Sequence, residues 1–161
     1  MTINETIRAY GRDILDAENF KQSSKNIQHG TVSVRAHSIQ VARMSLVINR
    51  GLHLDCDERS LVRGALLHDY FQYDWHDWDD PKNTHAPLHG FYHPGIALKN
   101  ALKEFSLSDT EQDIIKKHMW PLTVVPPSYK ESWVVTLAEK YVSAKETLRG
   151  LKGRFDATAT N

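Results

Sequence analysis

The chain has 161 residues, of which 40% are hydrophobic and 25% are charged, and this composition is typical of one globular domain. Lysine plus arginine and aspartate plus glutamate each number 20, so the balanced charge offers no general attraction to nucleic acid or to an anionic membrane. One cysteine, Cys56, excludes an internal disulfide, and no apolar run approaches the about 18 residues that span a bilayer. Because residues 1–20 also lack the features of a secretory signal, we expect a cytoplasmic protein.

Apolar residues recur at helical spacing along most of the chain, and no stretch alternates as a strand would. Together with the capping signals, this periodicity predicts helices over residues 3–15, 18–24, 33–49, 55–71, 94–105, 108–119 and 131–149. A turn is expected at residues 29–31, where the chain holds His29, Gly30 and Thr31. The sequence therefore predicts an all-α fold, a single compact bundle of about six to eight helices over residues 1–155 with a frayed tail at 156–161.

Specific residues mark several helix ends. Gly51 stands where a C-terminal cap belongs. Asp55 followed by Glu58, and Ser108 followed by Glu111, have the spacing of capping boxes at helix starts. These signals predict where the third predicted helix ends and where the fourth and sixth begin.

The second half of the chain contains more helix-breaking residues. Residues 72–92 show no helical period and contain two prolines, which predicts a long loop of the kind that is usually functional or mobile. Pro94 is expected at the first position of a helix, which makes His93 the N-cap residue. Gly150 and Gly153 are expected to end the last helix.

Most of the predicted helices present a metal-ligand type of side chain on an apolar face or at one end. These residues are His37, His68, Asp69, His93, His118 and Glu139. Each has an ordinary alternative: a core histidine bonded to a carbonyl, a histidine that caps a helix, or a glutamate paired with a lysine or arginine. Imidazoles and carboxylates bind transition metals, and a shared metal would remove the cost of burying all of these groups at once. We therefore expect them to converge on a metal centre.

The order of these residues, with an adjacent His-Asp pair late in a helix, resembles the HD-domain metal-dependent phosphohydrolase superfamily. Segments 33–38, 65–69, 93–97 and 137–140 are similar to segments of that family. The two middle histidines resemble its dinuclear branch, which includes diadenosine-tetraphosphatase-like enzymes. The resemblance implies that one metal is held by His37, His68, Asp69 and Glu139, while Asp69 bridges to a second metal held also by His93 and His118.

The same resemblance implies hydrolysis of a phosphate ester or anhydride of a small substrate, with a nucleotide as the first candidate and Asp69 and His68 as catalytic residues. It implies one or two divalent transition metals, iron first, with manganese, zinc, nickel or cobalt also suited. Glu139 stands where the family usually has aspartate, so its longer reach could change the metal or the chemistry. His89, four residues before His93, is the alternative metal ligand.

Three further residues are candidates for binding the substrate: Lys140 and Arg35 through phosphate, and Gln72 through a water or the substrate itself. An exposed, solvated side chain is the ordinary alternative for both cations. Residues 70–80 interleave aromatic and acidic side chains. Their rings could stack on a nucleobase or pack over helix ends, and their acidity disfavours long nucleic acids.

Other functions remain compatible with this pattern. Related folds host di-iron oxygen chemistry, so a di-iron oxygenase is one alternative. A non-catalytic module that senses nucleotides or metals is another, and Glu139 keeps it open. A purely structural set of buried residues would bind no metal. Neither a nucleic-acid partner nor a membrane is expected, and the oligomeric state is not predicted.

Overall fold

The computed structural model describes residues 1–71 and 89–159 of the chain. Within these residues the α-helices are α1 (Ile3–Asp16), α2 (Glu18–Gln22), α3 (Val34–Gly51), α4 (Glu58–Leu67), α5 (His89–Glu104), α6 (Asp109–Lys117) and α7 (Lys130–Ala159). A 3-10 turn, Ser23–Lys25, follows α2, and two short strands, β1 (Ile27–His29) and β2 (Val32–Ser33), precede α3. The predicted compact all-α fold of six to eight helices is confirmed.

Helices α3 and α4 pack against each other at the centre of the bundle. Helix α7 lies along α3, while α1 and α6 cover the other sides of α4. The core between them is apolar and includes Val41, Leu46, Leu66 and Ile115, which are fully buried. This arrangement brings the last turns of α4 and α6 close to the first turn of α3, where the predicted ligands lie.

Glycine at position 64 permits the close approach of α4 to α6. A Cβ atom added to Gly64 would lie 2.6 Å from Cδ1 of Ile114. His68 and His118 each follow these two residues by one helical turn. The contact between Gly64 and Ile114 therefore sets the separation of two predicted ligands.

The capping box at Ser108 and Glu111 is confirmed at the start of α6. The capping box predicted at Asp55 is wrong, because Asp57 is the N-cap of α4 and accepts a hydrogen bond from the backbone N–H of Ser60. Asp55 has a positive φ of 52° and lies before the cap. Helix α4 also ends earlier than predicted, at Leu67.

Two further helix bounds differ from the prediction. Helix α5 begins at His89, so Pro94 lies inside the helix and His93 is not its N-cap. A proline at this position lacks the N–H that would donate to the carbonyl four residues earlier and crowds that carbonyl, yet α5 continues through it. Helix α7 continues through Gly150 and Gly153, where the sequence predicts its end, to Ala159. The glycine at position 150 instead allows the hairpin to approach α7 closely, since a Cβ added there would lie 3.3 Å from Cα of Gly30.

The two strands form an antiparallel hairpin that the sequence did not predict, because strands this short show no alternation. The predicted turn between them is confirmed, with Gly30 at a positive φ of 61°. The hairpin packs on α7 and places Gln28 and His29 near the predicted ligands. Most of the predicted loop over 72–92 lies outside the described residues, but residues 89–92 are helical. Within the described ranges, no helix is both long and apolar enough for a membrane span.

Candidate metal centre

The predicted ligands lie together in the core, although they come from five separate helices or helix ends. They are His37 in the first turn of α3, His68 and Asp69 after α4, His93 in α5, His118 after α6 and Glu139 in α7. Each is at most 7% exposed to solvent. The structure thus brings together all six residues, while their role as ligands stays a prediction.

Asp69 stands between two pairs of histidines and turns one carboxylate oxygen toward each pair. Its Oδ1 is 3.0 Å from Nε2 of His93 and 3.5 Å from Nε2 of His118. Its Oδ2 is 3.2 Å from Nε2 of His68 and 3.8 Å from Nε2 of His37. A carboxylate shared in this way can bridge two metal ions.

Glu139 completes the cluster around His37 and His68. Its Oε2 is 2.8 Å from Nε2 of His37 and 3.2 Å from Nε2 of His68. Its other oxygen, Oε1, points away and accepts a hydrogen bond of 2.6 Å from the hydroxyl of Ser143. Glu139 therefore presents one oxygen to the centre.

Local hydrogen bonds orient three of the imidazole rings. Nδ1 of His68 is 2.7 Å from the carbonyl of Ala65, and Nδ1 of His118 is 2.8 Å from the carbonyl of Ile115. Because a carbonyl only accepts, Nδ1 must hold the proton in both rings. Nδ1 of His37 is 2.8 Å from Oε2 of Glu146, a carboxylate that acts in the same way. In each ring Nε2 is left to face the centre, as in metal-binding histidines.

The buried carboxylates depend on nearby positive charge. Burial alone would raise the pKa of Asp69, but the charge of His68 and its contacts with His118, His68 and His93 hold that pKa well below its ordinary value. Burial opposes ionisation of Glu139 too, and the charge of His37 with contacts from His37 and His68 lowers its pKa well below the usual range. The lowered pKa values favour the ionised form of both carboxylates, and the histidines beside them supply the compensating positive charge.

The pKa values of two histidines in the centre, His37 and His118, shift in opposite directions. Burial lowers the pKa of His37, but the charge of Glu139 and hydrogen bonds to Glu139 and Glu146 outweigh it and raise the pKa to about 9. The pKa of His118 falls to about 4, because of burial and despite its contact with Asp69. Protonated His37 thus supplies positive charge that a metal ion can replace, while His118 is neutral and ready to bind.

Two buried polar atoms of the centre make no well-directed hydrogen bond within the described part of the chain, although charged groups lie close to them. They are Nε2 of His68 and Oδ1 of Asp69. Nε2 of His68 faces carboxylate oxygens of both Asp69 and Glu139 at 3.2 Å, so it needs a proton or a metal between them. A buried polar atom without a partner is costly, and a cation here would satisfy both atoms.

The spacing of ligand atoms also fits metal ions. Nε2 of His93 and Nε2 of His118 lie 2.8 Å apart. Adjacent nitrogen ligands of one ion lie about 3 Å apart, because each bond to the ion is about 2.1 Å long. Groups of His and Asp atoms within 4.8 Å of one another are formed by His37, His68 and Asp69, and by Asp69, His93 and His118. These donors suit zinc, iron, manganese and similar ions.

Comparison with protein families agrees with this geometry. A family model described as HD domain matches residues 34–143 of the chain. This chain belongs to the HD-domain family. The matched segment contains all the predicted ligands from His37 to Glu139, and members of the family are generally metal-dependent hydrolases. No curated protein and no solved structure gives a significant match.

The structure also contains contacts that the sequence does not predict, and they come from residues on either side of the matched segment. His29, His37 and Glu146 form a third group of potential ligand atoms. Gln28 donates a hydrogen bond of 2.6 Å to Oδ2 of Asp69. Glu146 lies two turns after Glu139 on the same face of α7, a spacing that could have revealed it. Nothing in the sequence signals Gln28 or His29, because the hairpin that positions them was not recognised.

The remaining candidates lie in different places. Lys140 is exposed on α7 next to Glu139 in the chain. The guanidinium of Arg35 lies 5.7 Å from the ring centroid of Phe20 and borders a cavity beside α1. Gln72 and the side chain of His89 fall outside the described part of this HD domain. Substrate binding by these residues stays a prediction.

Proposed function

We propose that this HD-domain protein is a metal-dependent phosphohydrolase that cleaves an ester or anhydride bond of a small phosphorylated substrate, with nucleotides as the first class to test. The position of Asp69 is the main support, because its two oxygens face two separate histidine pairs. Two adjacent metal positions suit phosphoryl transfer better than a single structural ion does. Iron is the first metal to test, followed by manganese, zinc, nickel and cobalt.

The residues divide into two proposed metal positions that share Asp69. The first position consists of His37, His68, Asp69 and Glu139, and the second consists of Asp69, His93 and His118. Bound metals lower the pKa of a water nucleophile and neutralise charge on the phosphoryl oxygens.

The protein itself contributes preorganisation to this reaction. Asp69 keeps the two positions adjacent, and hydrogen bonds from Nδ1 of His68 and His118 to backbone carbonyls hold the Nε2 atoms in place. The surrounding burial raises the strength of every charge interaction in the centre. The centre therefore needs little reorganisation when a phosphate arrives, and Lys140 is proposed to contact that phosphate from the exposed side of α7.

The substrate is proposed to be small rather than polymeric. Basic and acidic residues are equal in number, so the chain offers no general attraction to a long phosphate backbone. Attraction of phosphate is instead proposed to come from a local site, the metal centre with Lys140 beside it. Neither nucleic acid nor membrane is proposed as a partner.

The decisive experiment measures the metal content of protein purified without added metal, and then phosphate release from a panel of nucleotides and phosphate esters with each metal supplied. Asp69→Ala should lose metal and turnover together, whereas Asp16→Ala, at an exposed position on α1, should retain both. Metal binding and turnover that survive in Asp69→Ala would rule out the bridging role. A di-iron centre that consumes oxygen but releases no phosphate would support the oxygenase instead, and metal binding without turnover would support the sensor.

A further inference from the structure

A row of polar side chains on α7 lies directly behind the proposed first metal position. Glu139, Ser143 and Glu146 follow one another at intervals of four and three residues, so they share one face of the helix. Glu139 and Glu146 are 7% and 8% exposed, and Ser143 is half-buried between them. All three are oriented toward α3 and the hairpin, where His37 and His29 lie.

Ser143 restricts how Glu139 can bind a metal. Its hydroxyl donates a hydrogen bond of 2.6 Å to Oε1 of Glu139, and it lies 3.1 Å from Nε2 of His29. With one proton on the hydroxyl, Ser143 can donate to Glu139 while it accepts from the N–H of His29. Oε1 is thereby held away from the centre, and only Oε2 faces His37 and His68.

This hydrogen bond matters because glutamate has one more methylene and one more rotatable bond than aspartate. An unrestrained Glu139 could turn both oxygens toward a metal or swing away from it. The short hydrogen bond from Ser143, one turn further along α7, holds Oε1 in place and so removes that freedom. Ser143 therefore limits the additional conformational freedom that the longer side chain of Glu139 has.

Glu146 acts in a similar way on His37. Its Oε2 is 2.8 Å from Nδ1 of His37, on the side of the ring opposite Glu139. The carboxylate can only accept, so it fixes the proton on Nδ1 and leaves Nε2 for the metal. Outer carboxylates of this kind also make a histidine ligand more basic, and their loss typically lowers metal affinity about 10–100-fold.

We propose that Ser143 and Glu146 are positioning residues, which hold Glu139 as a one-oxygen ligand and His37 as an Nε2 ligand and so set the affinity of the first metal position. The inference rests on the proposed metal centre. It predicts an effect confined to one of two positions, since neither side chain contacts His93 or His118 among the contacts of the described residues.

The test is a Mn²⁺ titration of the chelator-treated 161-residue chain by calorimetry, analysed for two binding events. Ser143→Ala and Glu146→Leu should each weaken one event about 10–100-fold and change the other less than about threefold. Ser143→Thr, which keeps the hydroxyl, should restore the affinity. Ser132→Ala is the matched control, because Ser132 is a buried serine on the same helix that donates to Asp113 outside the centre.

A double-substitution cycle separates positioning from general destabilisation. In the background of Glu139→Asp, the shorter side chain no longer needs Ser143, so adding Ser143→Ala should change the affinity less than about threefold. An equal loss in both backgrounds would overturn the inference for Ser143. Glu146→Gln keeps the size of the side chain but removes the charge that makes His37 a more basic ligand, so it should weaken the same event even if the leucine variant fails to fold. An unchanged affinity in Glu146→Gln would overturn the inference for Glu146. If the unaltered protein binds no Mn²⁺ or other divalent metal, the proposed function fails as well.

Discussion

Replacing Gly64 with alanine should disturb the metal centre from one helical turn away, through the packing of α4 against α6. The new Cβ would lie 2.6 Å from Cδ1, 2.7 Å from Cγ2 and 2.8 Å from Cβ of Ile114, at a buried position between α4 and α6. Carbon atoms pack at about 3.5–4.0 Å, so the two helices must separate by roughly 1 Å, because a new rotamer of Ile114 would leave the contact with its Cβ in place. His68 and His118 lie one turn further along these helices, with ring centroids 4.8 Å apart.

The expected magnitude comes from two opposing effects. Overpacking a close-packed core costs about 1–3 kcal/mol, and the three short contacts place this substitution in the upper half of that range. Alanine in a helix interior regains about 1 kcal/mol relative to glycine. We therefore expect the free energy of unfolding to fall by about 1–2 kcal/mol and metal affinity to fall with it.

Urea unfolding of the chelated protein and calorimetric titration with Mn²⁺ measure the two effects. Gly153→Ala is the matched control, because a Cβ there meets nothing within 4 Å and also lies in a helix. The control should gain up to about 1 kcal/mol and keep its metal affinity. If Gly64→Ala proves as stable as Gly153→Ala and binds metal within twofold of the unaltered protein, α6 does not approach α4 as closely as the structure shows.

Three further outcomes are expected. Glu139→Asp should bind metal as tightly as the unaltered protein or more tightly, by Mn²⁺ titration, and complete loss would give Glu139 a role beyond that of a ligand. Metal binding at pH 7 should release protons, because the pKa of His37 is raised to about 9 and this imidazole must lose a proton to bind a metal. In pH-stat measurements, the number of protons released should decrease as the pH rises through 9. Arg63→Ala should lower the free energy of unfolding by about 3–5 kcal/mol, measured in urea, because it leaves the buried carboxylate of Glu111 without its cation. In the structure that carboxylate lies 3.1 Å from Nε of Arg63. A loss below about 1 kcal/mol would contradict this reasoning.

Much of this protein can be predicted from local sequence. Helix α1, helix α3 and the capping box at Ser108 follow from side-chain period and capping chemistry, which depend only on residues a few positions apart. The choice of His37, His68 and Asp69 as candidates follows from polar groups on faces that are otherwise apolar.

Predictions of helix ends from local sequence were wrong where two residues could both act as the cap, or where a contact distant in the chain determined the structure. Asp55 and Asp57 can both cap a helix, and the backbone N–H of Asp57 is held by a side-chain oxygen of Glu131, which is distant in the chain. Gly150 is typical of a helix end, yet α7 continues through it, and the glycine instead lets Gly30 of the hairpin come close.

The amino-acid sequence by itself determined that the chain is helical and which side chains could bind metal, because both properties follow from residue type and short-range spacing. Only the tertiary structure decided that Asp69 faces two histidine pairs, and that Ser143 and Glu146 stand behind Glu139 and His37. These contacts depend on how the helices from α3 to α7 dock, and Gly64 is one position where side-chain size sets how closely α4 approaches α6. Candidate ligands can thus be chosen from sequence, and the family resemblance already implies their division between two metals, whereas the distances between their ligand atoms require the packed bundle.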